Sequence, residues 1–380
     1  MHVVRFATLD ELAPLAAEWD RLSAGVPFRS WAWNSCWWRN YGPPGRDAPR
    51  RELYVLGVFD HDGKLLGIAP WYLEPSLTKG RVVRFLGSGE VCSEYLSLLV
   101  EPGREPEVLA AVASWLGESA TADLLPDLRC DRWDLLDLQA VDAEDAVIGN
   151  LAAALEQRSH SVFRQPGWPC WRAELPNSWD EFQARLAGRF RRRLRAFERR
   201  FADGTVVTRC IQSIDDLAAA RANLVLLHQR RRRQLGQAGC FASSRFTDFH
   251  DEVMPQLVAT GQFLMTSIEI EGRTVAVDYG FPGRDGLYCY QAGIEPEALQ
   301  HSPGHMSHYV LFRRAIERGA RFVDFLRGNE PYKADWAAEP RPTLELRIVP
   351  PRIGARLRHG LWRTGKRVKH WIKKLRKAHA

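Results

Sequence analysis

The sequence predicts an α/β protein of two tandem halves, each a mixed sheet flanked by helices, followed by a basic C-terminal tail. Three observations lead there. A chain of 380 residues with 45% hydrophobic content is long enough to bury two ordinary cores. One order of elements recurs: a hairpin, further strand, a helix ending near a glycine, and an apolar closing strand. Positive charge collects at one end, where residues 351–380 hold eleven Lys and Arg and no acid.

In the first half, LYVLGVFD from Leu53 and KLLGIAPWYLE from Lys64 flank His61-Asp62-Gly63, a glycine-containing turn between β-rich runs. RVVRFLG, YLSLLV, a helix near Glu105 to Leu116 and the strand WDLLDLQ from Trp133 follow. In the second half, QFLMTSIEIEG and TVAVDYGFPG form a hairpin around Glu271-Gly272. The strand GLYCYQAGI, a helix from about Gly304 to Arg318 and the strand RFVDFLRG complete the order. Residue identity between the halves is weak, so the repeat is one of element order. Gly167, Pro169 and Pro176 place the junction between Pro166 and Pro176, giving expected domains 1–170 and 171–350 and a tail 351–380.

The formal charge of +7, less the +11 of the tail, leaves −4 on the body, so global charge gives no argument for a nucleic-acid partner. Seven cysteines lie far apart with no CxxC pair, indicating neither a disulfide framework nor a zinc site, and no metal is expected. No run of 18 apolar residues occurs, and MHVVRFATLDELAPL lacks the pattern of a signal peptide. The expectation is a cytoplasmic protein, at most peripheral at the inner membrane face. Walker, GxSxG and HExxH motifs are missing, so NTPase, α/β-hydrolase and zincin chemistry have no support.

Eleven of the fourteen Trp precede residue 180. Trp31, Trp33, Trp37, Trp38 and Trp71 are read either as an aromatic core or as the lining of a groove.

Two segments are strongly basic. RLAGRFRRRLRAFERR, residues 185–200, places Leu186, Phe190, Leu194 and Phe197 at helical spacing beneath eight Arg, which predicts an amphipathic helix. Its outer face is either an anion-binding surface or simply solvated. The tail from Arg352 to Lys377 puts Leu357, Leu361, Val368, Ile372 and Leu375 near one stripe, with Trp362 and Trp371 beside it. An anionic membrane surface is the partner such a stripe suggests, and a frayed basic tail is the alternative.

Two further segments carry candidate chemistry. In GIEPEALQHSPGHMSHYVLFRRAIERG, Ser302-Pro303-Gly304 supplies an N-cap residue type, a proline suited to the first turn and a glycine that allows close approach. Amides around Gly304, His305, Met306 and Ser307 could then hold a phosphate at a helix N-terminus, although S-P-G also begins helices that bind nothing. In DFLRGNEPYKADW, residues 324–336, a strand end leads into a loop crowded with charge, where open α/β sheets place their sites. Tyr332 could protonate a leaving thiolate, Asp324 or Glu330 could act as base, and Lys333 could hold a phosphate or carboxylate. His228 and Asp278 are further base candidates, and a structural role is the competing reading of each.

SPGHMSHYVLFRRAIERGARFVDFLRGNEPYKADW resembles the closing segment of the GNAT-like acetyltransferase domain of CelD-type cellulose and exopolysaccharide biosynthesis proteins, and more distantly of Fem-type aminoacyltransferases. The resemblance extends through LVLLHQRRRRQLGQAGCF, EIEGRTVAVDYGF, PFRSWAWNSCWW and GKLLGIAPWYLE, roughly residues 5–350. It implies two tandem GNAT-like domains and transfer of an acyl group, expected to be acetyl, from acyl-CoA to an amine or hydroxyl. The implied acceptor is a small molecule or a sugar-linked precursor in envelope or exopolysaccharide synthesis. It places Ser302, Pro303, Gly304 and His305 at the donor-phosphate loop, with Met306 and Ser307 following. Asp324, Arg327, Tyr332, Lys333 and Trp336 match the C-terminal motif, Arg327 being assigned to the donor. The fuller Gly-rich cradle of standard GNAT enzymes is not present. Two alternatives stand beside this reading: a Fem-type transferase, whose aminoacyl-tRNA donor the Arg-rich helix would suit, and a non-catalytic scaffold of a polysaccharide assembly.

Overall fold

The computed structural model describes residues 1–42, 50–120, 131–211 and 213–364. In chain order the strands are β1 (His2–Phe6), β2 (Glu52–Leu53), β3 (Val55–Phe59), β4 (Leu65–Ala69), β5 (Trp71–Ser76), β6 (Gly80–Phe85), β7 (Leu99–Val100), β8 (Leu135–Asp142), β9 (Ser161–Pro166), β10 (Cys170–Glu174), β11 (Val206–Ile211), β12 (Leu264–Ile270), β13 (Arg273–Pro282), β14 (Gly286–Ile294), β15 (Phe322–Arg327), β16 (Glu339–Arg341) and β17 (Thr343–Val349). The helices are α1 (Leu9–Leu12), α2 (Ala16–Leu22), α3 (Trp31–Tyr41), α4 (Glu105–Ala120), α5 (Ala146–Gln157), α6 (Trp179–Arg185), α7 (Gly188–Ala202), α8 (Ile214–Gln234), α9 (Ser244–Ala259), α10 (Pro303–Glu317) and α11 (Tyr332–Asp335). Residues 353–364 are helical as well. No helix among the described residues is long and apolar enough to cross a membrane.

The chain forms two compact units, one of residues 1–24, 37–167 and 343–380, the other of residues 25–36 and 168–342. The first contains a four-stranded sheet in the order β1-β3-β4-β7 and a six-stranded sheet in the order β2-β5-β6-β8-β17-β9. The second contains a seven-stranded sheet in the order β11-β12-β13-β14-β15-β10-β16. Among the described residues each unit has one parallel pair, β6 with β8 and β14 with β15. A helix, α4 or α10, lies between the paired strands in sequence, because a parallel pair needs a crossover. The expected repeat of element order is therefore present as topology.

The units do not follow the expected boundaries. β17 pairs with β8 and β9, so residues 343–349 belong to the first unit and not to a domain ending at 350. Phe28 and Trp33 pack on Phe281 and Phe249 at ring separations of 5.5 and 4.8 Å, which assigns residues 25–36 to the second. The prolines of the junction do not break all regular structure: Pro169 and Pro176 flank β10, which pairs with β15 and β16. The tail is not separate at its start, since Ala355 packs with Val82, Leu135 and Val349. Its Val368, Trp371, Ile372 and Leu375 lie outside the described residues.

Of the N-terminal tryptophans, Trp33, Trp37 and Trp71 are fully buried, so at these positions the aromatic core holds and the groove does not. In the second unit, Phe190, Leu194 and Phe197 of α7 join Met306 and Phe312 of α10, Val323 and Phe325 of β15, and Trp336 in one core. Trp336 stacks on Phe312 at 4.5 Å. The hairpin between β12 and β13 turns at Glu271-Gly272, both at positive φ (52° and 73°), the geometry of a two-residue turn that follows sheet twist.

Candidate functional site

β14 and β15 hydrogen-bond in parallel only from Gly286/Phe322 to Tyr288/Asp324, although β14 runs on to Ile294. A register shift opposite Tyr279 and Gly280 bends β14 where this pairing ends. Beyond it, the second unit has a cavity of about 420 Å³. Its apolar wall is formed by Ala292, Ile294, Leu299 and Pro303, and its polar groups come from α7, α8, α10, β13 and Tyr332.

α10 begins at this cavity. Ser302 stands at the N-cap with φ 57° and ψ 48°, a left-handed conformation that turns the chain from the short helix Pro296–His301 into α10. Its side chain makes no capping bond, contrary to the expectation for a serine there; its carbonyl accepts from the amides of His305 and Met306 at 3.0 and 3.2 Å. Pro303 occupies the first turn as expected. A Cβ on Gly304 would meet Cδ1 of Ile294 at 2.9 Å, so glycine allows the helix start to approach β14 closely. Ser302, Gly304 and His305 line the cavity, and Arg193 and Arg231 add two guanidinium groups. A helix N-terminus together with two cations is an arrangement for anionic oxygens.

Asp278, on β13, lines the same cavity and is only 5% exposed. Burial pushes its carboxyl up to about 7, with the Ser307 hydroxyl pulling the other way. Nε2 of His308 lies 3.9 Å from its Oδ1, and burial pushes that imidazole down to about 3. The Tyr332 ring stacks on His308 at 5.2 Å, and burial raises its phenol well above the usual range, so the hydroxyl keeps its proton. His305 is also shifted downward by burial, then by Arg193, with Asp335 at 3.7 Å acting in the opposite sense. The cavity thus holds a carboxyl that changes charge near neutrality, neutral imidazoles and a protonated phenol.

Other residues singled out in the sequence do not line this cavity. Asp324 is completely buried, its Oδ2 accepting from Arg172 Nε at 3.0 Å and its Oδ1 from the Leu326 amide at 2.8 Å. Lys333 is 1% exposed; its Nζ donates to the carbonyls of Phe325, Leu326, Arg327 and Gly328 at 3.0–3.4 Å and pairs with Glu330 at 3.0 Å. Both side chains hold the end of β15 in place. Arg327 closes that strand away from the cavity wall. Met306 is in the core, and Ser307 is buried beside Asp278. His228, on α8, lines a second cavity of about 230 Å³ with Arg232, Gln237, Gly239, Cys240 and Gln291. Its Nδ1 is 3.1 Å from Gln229 Oε1, its Nε2 is 3.6 Å from Cys240 Sγ, and burial lowers its pKa.

Sequence reasoning had not singled out Arg193, Arg231 or His308. Arg193 lies in the basic helix and Arg231 in the run RRRR, where composition cannot show which arginine turns inward. Among the described residues no group of three His, Cys, Asp or Glu is placed to hold a metal.

Residues 188–334 match the family model described as an acetyltransferase (GNAT) domain. No curated protein matches the chain significantly. Among solved structures, FemX is similar over 91% of this chain and 97% of its own, with 12% identity and a TM-score of 0.59. A conserved protein of unknown function from Bacteroides thetaiotaomicron VPI-5482 matches over 91% of this chain and 99% of its own, with 12% identity and a TM-score of 0.56. The C-terminal domain of a putative lysylphosphatidylglycerol synthetase from Agrobacterium fabrum matches over 90% and 95%, with 9% identity and a TM-score of 0.50. At these identities the likeness is one of fold. The chain therefore has two α/β units, and its second unit, over residues 188–334, is similar in sequence to the GNAT acetyltransferase domain.

Proposed function

We propose that the second unit transfers an acyl group, acetyl as the first choice, from acyl-CoA to an amine or hydroxyl acceptor. The observation carrying this reading is the shared cavity of Asp278 and the α10 N-terminus: a base titrating near neutrality beside a place for anionic oxygens. The residues present fit the donor. Gly304 of the first turn, with Arg193 and Arg231, would hold its phosphates, and Ile294, Leu299 and Pro303 would face its apolar arm. The donor supplies an activated thioester carbonyl. Asp278, ionised above about pH 7, takes the proton of the attacking amine or hydroxyl. Tyr332 keeps its proton and is the proton donor available to the departing sulfur. The apolar wall and the neutral His305 and His308 leave Asp278 the anionic group at the reacting end.

The resemblance to CelD-type proteins supports a sugar or polysaccharide precursor as acceptor. A second reading, aminoacyl transfer from tRNA, is favoured by α7, whose Arg189, Arg192, Arg195 and Arg199 are exposed in a row of the kind that meets phosphates.

Isothermal titration of acetyl-CoA and CoA into the wild type and into Arg193→Ala and Arg231→Ala tests the first reading. Binding that weakens by about tenfold in each variant is expected, the scale of a charged hydrogen bond. Absence of CoA binding together with tight, salt-dependent tRNA binding would replace it with the second.

A further inference from the structure

The helix at residues 353–364 has two opposite faces of different character. Ala355, His359 and Trp362 turn toward the first unit: Ala355 is 1% and His359 7% exposed, and the guanidinium of Arg347 and the ammonium of Lys79 sit over the Trp362 ring at 4.7 and 4.8 Å. Arg356 donates to the Ser159 carbonyl at 2.8 Å and Arg358 to Asp134 at 3.2 Å, fixing the helix in rotation. Ile353, Leu357 and Leu361 recur every four residues on the outward face and are 77%, 62% and 75% exposed. Among the described residues the exposed large apolar side chains are otherwise scattered along the chain. An anchored helix that presents three consecutive apolar turns outward has a face without a partner among the described residues of its own unit.

We propose that this face docks on the surface of an anionic lipid bilayer. Charge argues for that occupant over an apolar protein groove. The segment 351–380 carries eleven Lys and Arg and no acid, seven of them after residue 364, while the other 350 residues are net negative. Apolar side chains on one stripe with cations flanking and following them match the two layers of an anionic interface, acyl boundary and headgroups. Anchoring by Ala355 and Trp362 presets the stripe, so docking would require no rearrangement of the unit. The inference is independent of the acyl-transfer reading.

Co-sedimentation of the full chain with phosphatidylcholine vesicles, with and without about one third phosphatidylglycerol, tests it. The expected result is binding to the anionic vesicles only, reversed by high salt, and reduced about tenfold or more in Leu357→Glu/Leu361→Glu. Because both leucines are exposed, that variant should keep the wild-type melting temperature and CoA titration. No binding to anionic vesicles, or binding that the double variant leaves unchanged, overturns the proposal. So does concentration-dependent self-association of the wild type that the double variant abolishes, since the face would then serve a second copy.

Discussion

Oδ1 of Asp278 lies 3.9 Å from Nε2 of His308, and the two groups are buried together with their pKa values pushed in opposite directions, to about 7 and about 3. At neutral pH His308 is uncharged and offers the carboxylate no cation, so burial outweighs the opposing Ser307 hydroxyl and raises Asp278. A salt-bridged aspartate would titrate far too low to act as a base near pH 7.

The first prediction concerns pH. Turnover in the wild type should rise through about pH 7 as Asp278 ionises, and Asp278→Asn should lose both that limb and most of the turnover while retaining CoA affinity. Stability should move the other way. The folded pKa exceeds the unfolded one, so the favourable contribution is complete below the unfolded value and is lost as pH rises through the folded value. The melting temperature of Asp278→Asn relative to wild type should therefore climb between pH 4 and 7 and level off above, with a limit of roughly 4 kcal/mol. A flat difference would show that Asp278 titrates normally.

Tyr332→Phe removes one hydroxyl from a ring stacked on His308 and should leave the fold intact. If the phenol protonates the leaving sulfur, kcat should fall about a hundredfold with little change in the Kd of CoA. An equal loss in Kd would make the hydroxyl a binding group.

Lys333 gives a contrasting outcome. Lys333→Ala would leave the carbonyls of Phe325, Leu326, Arg327 and Gly328 without their shared donor, at a cost of about 3 kcal/mol in urea unfolding. CoA affinity of the folded fraction should change far less than in Arg231→Ala. The reverse pattern would return Lys333 to the donor site.

Asp324 and Arg172 form a buried pair across β15 and β10, at 3.0 Å. Asp324→Ala should destabilise by about 3 kcal/mol, because it removes the buried partner of an ion pair and the acceptor of the Leu326 amide, whereas a catalytic base would be lost without that penalty. Chemical denaturation at pH 7 distinguishes the two.

The sequence alone determined the local structure. Alternating β-rich runs around Glu271-Gly272, the spacing of Phe190, Leu194 and Phe197, and the S-P-G start of α10 are interactions between near neighbours, and each element forms where its pattern lies. Element order also revealed the repeat. The tertiary structure decided partners and directions. That β17 joins β8 and β10 joins β15 depends on hydrogen bonds between strands distant in sequence, which no local pattern encodes. Lys333 and Asp324 carry the residue types of a site, yet backbone carbonyls and Arg172 occupy them. Asp278, an aspartate within a strand, gains its near-neutral pKa from being desolvated beside an uncharged His308. Burial and the absence of compensating charge arise from the whole packed unit, so a sequence can nominate such a residue and only the fold can tune it.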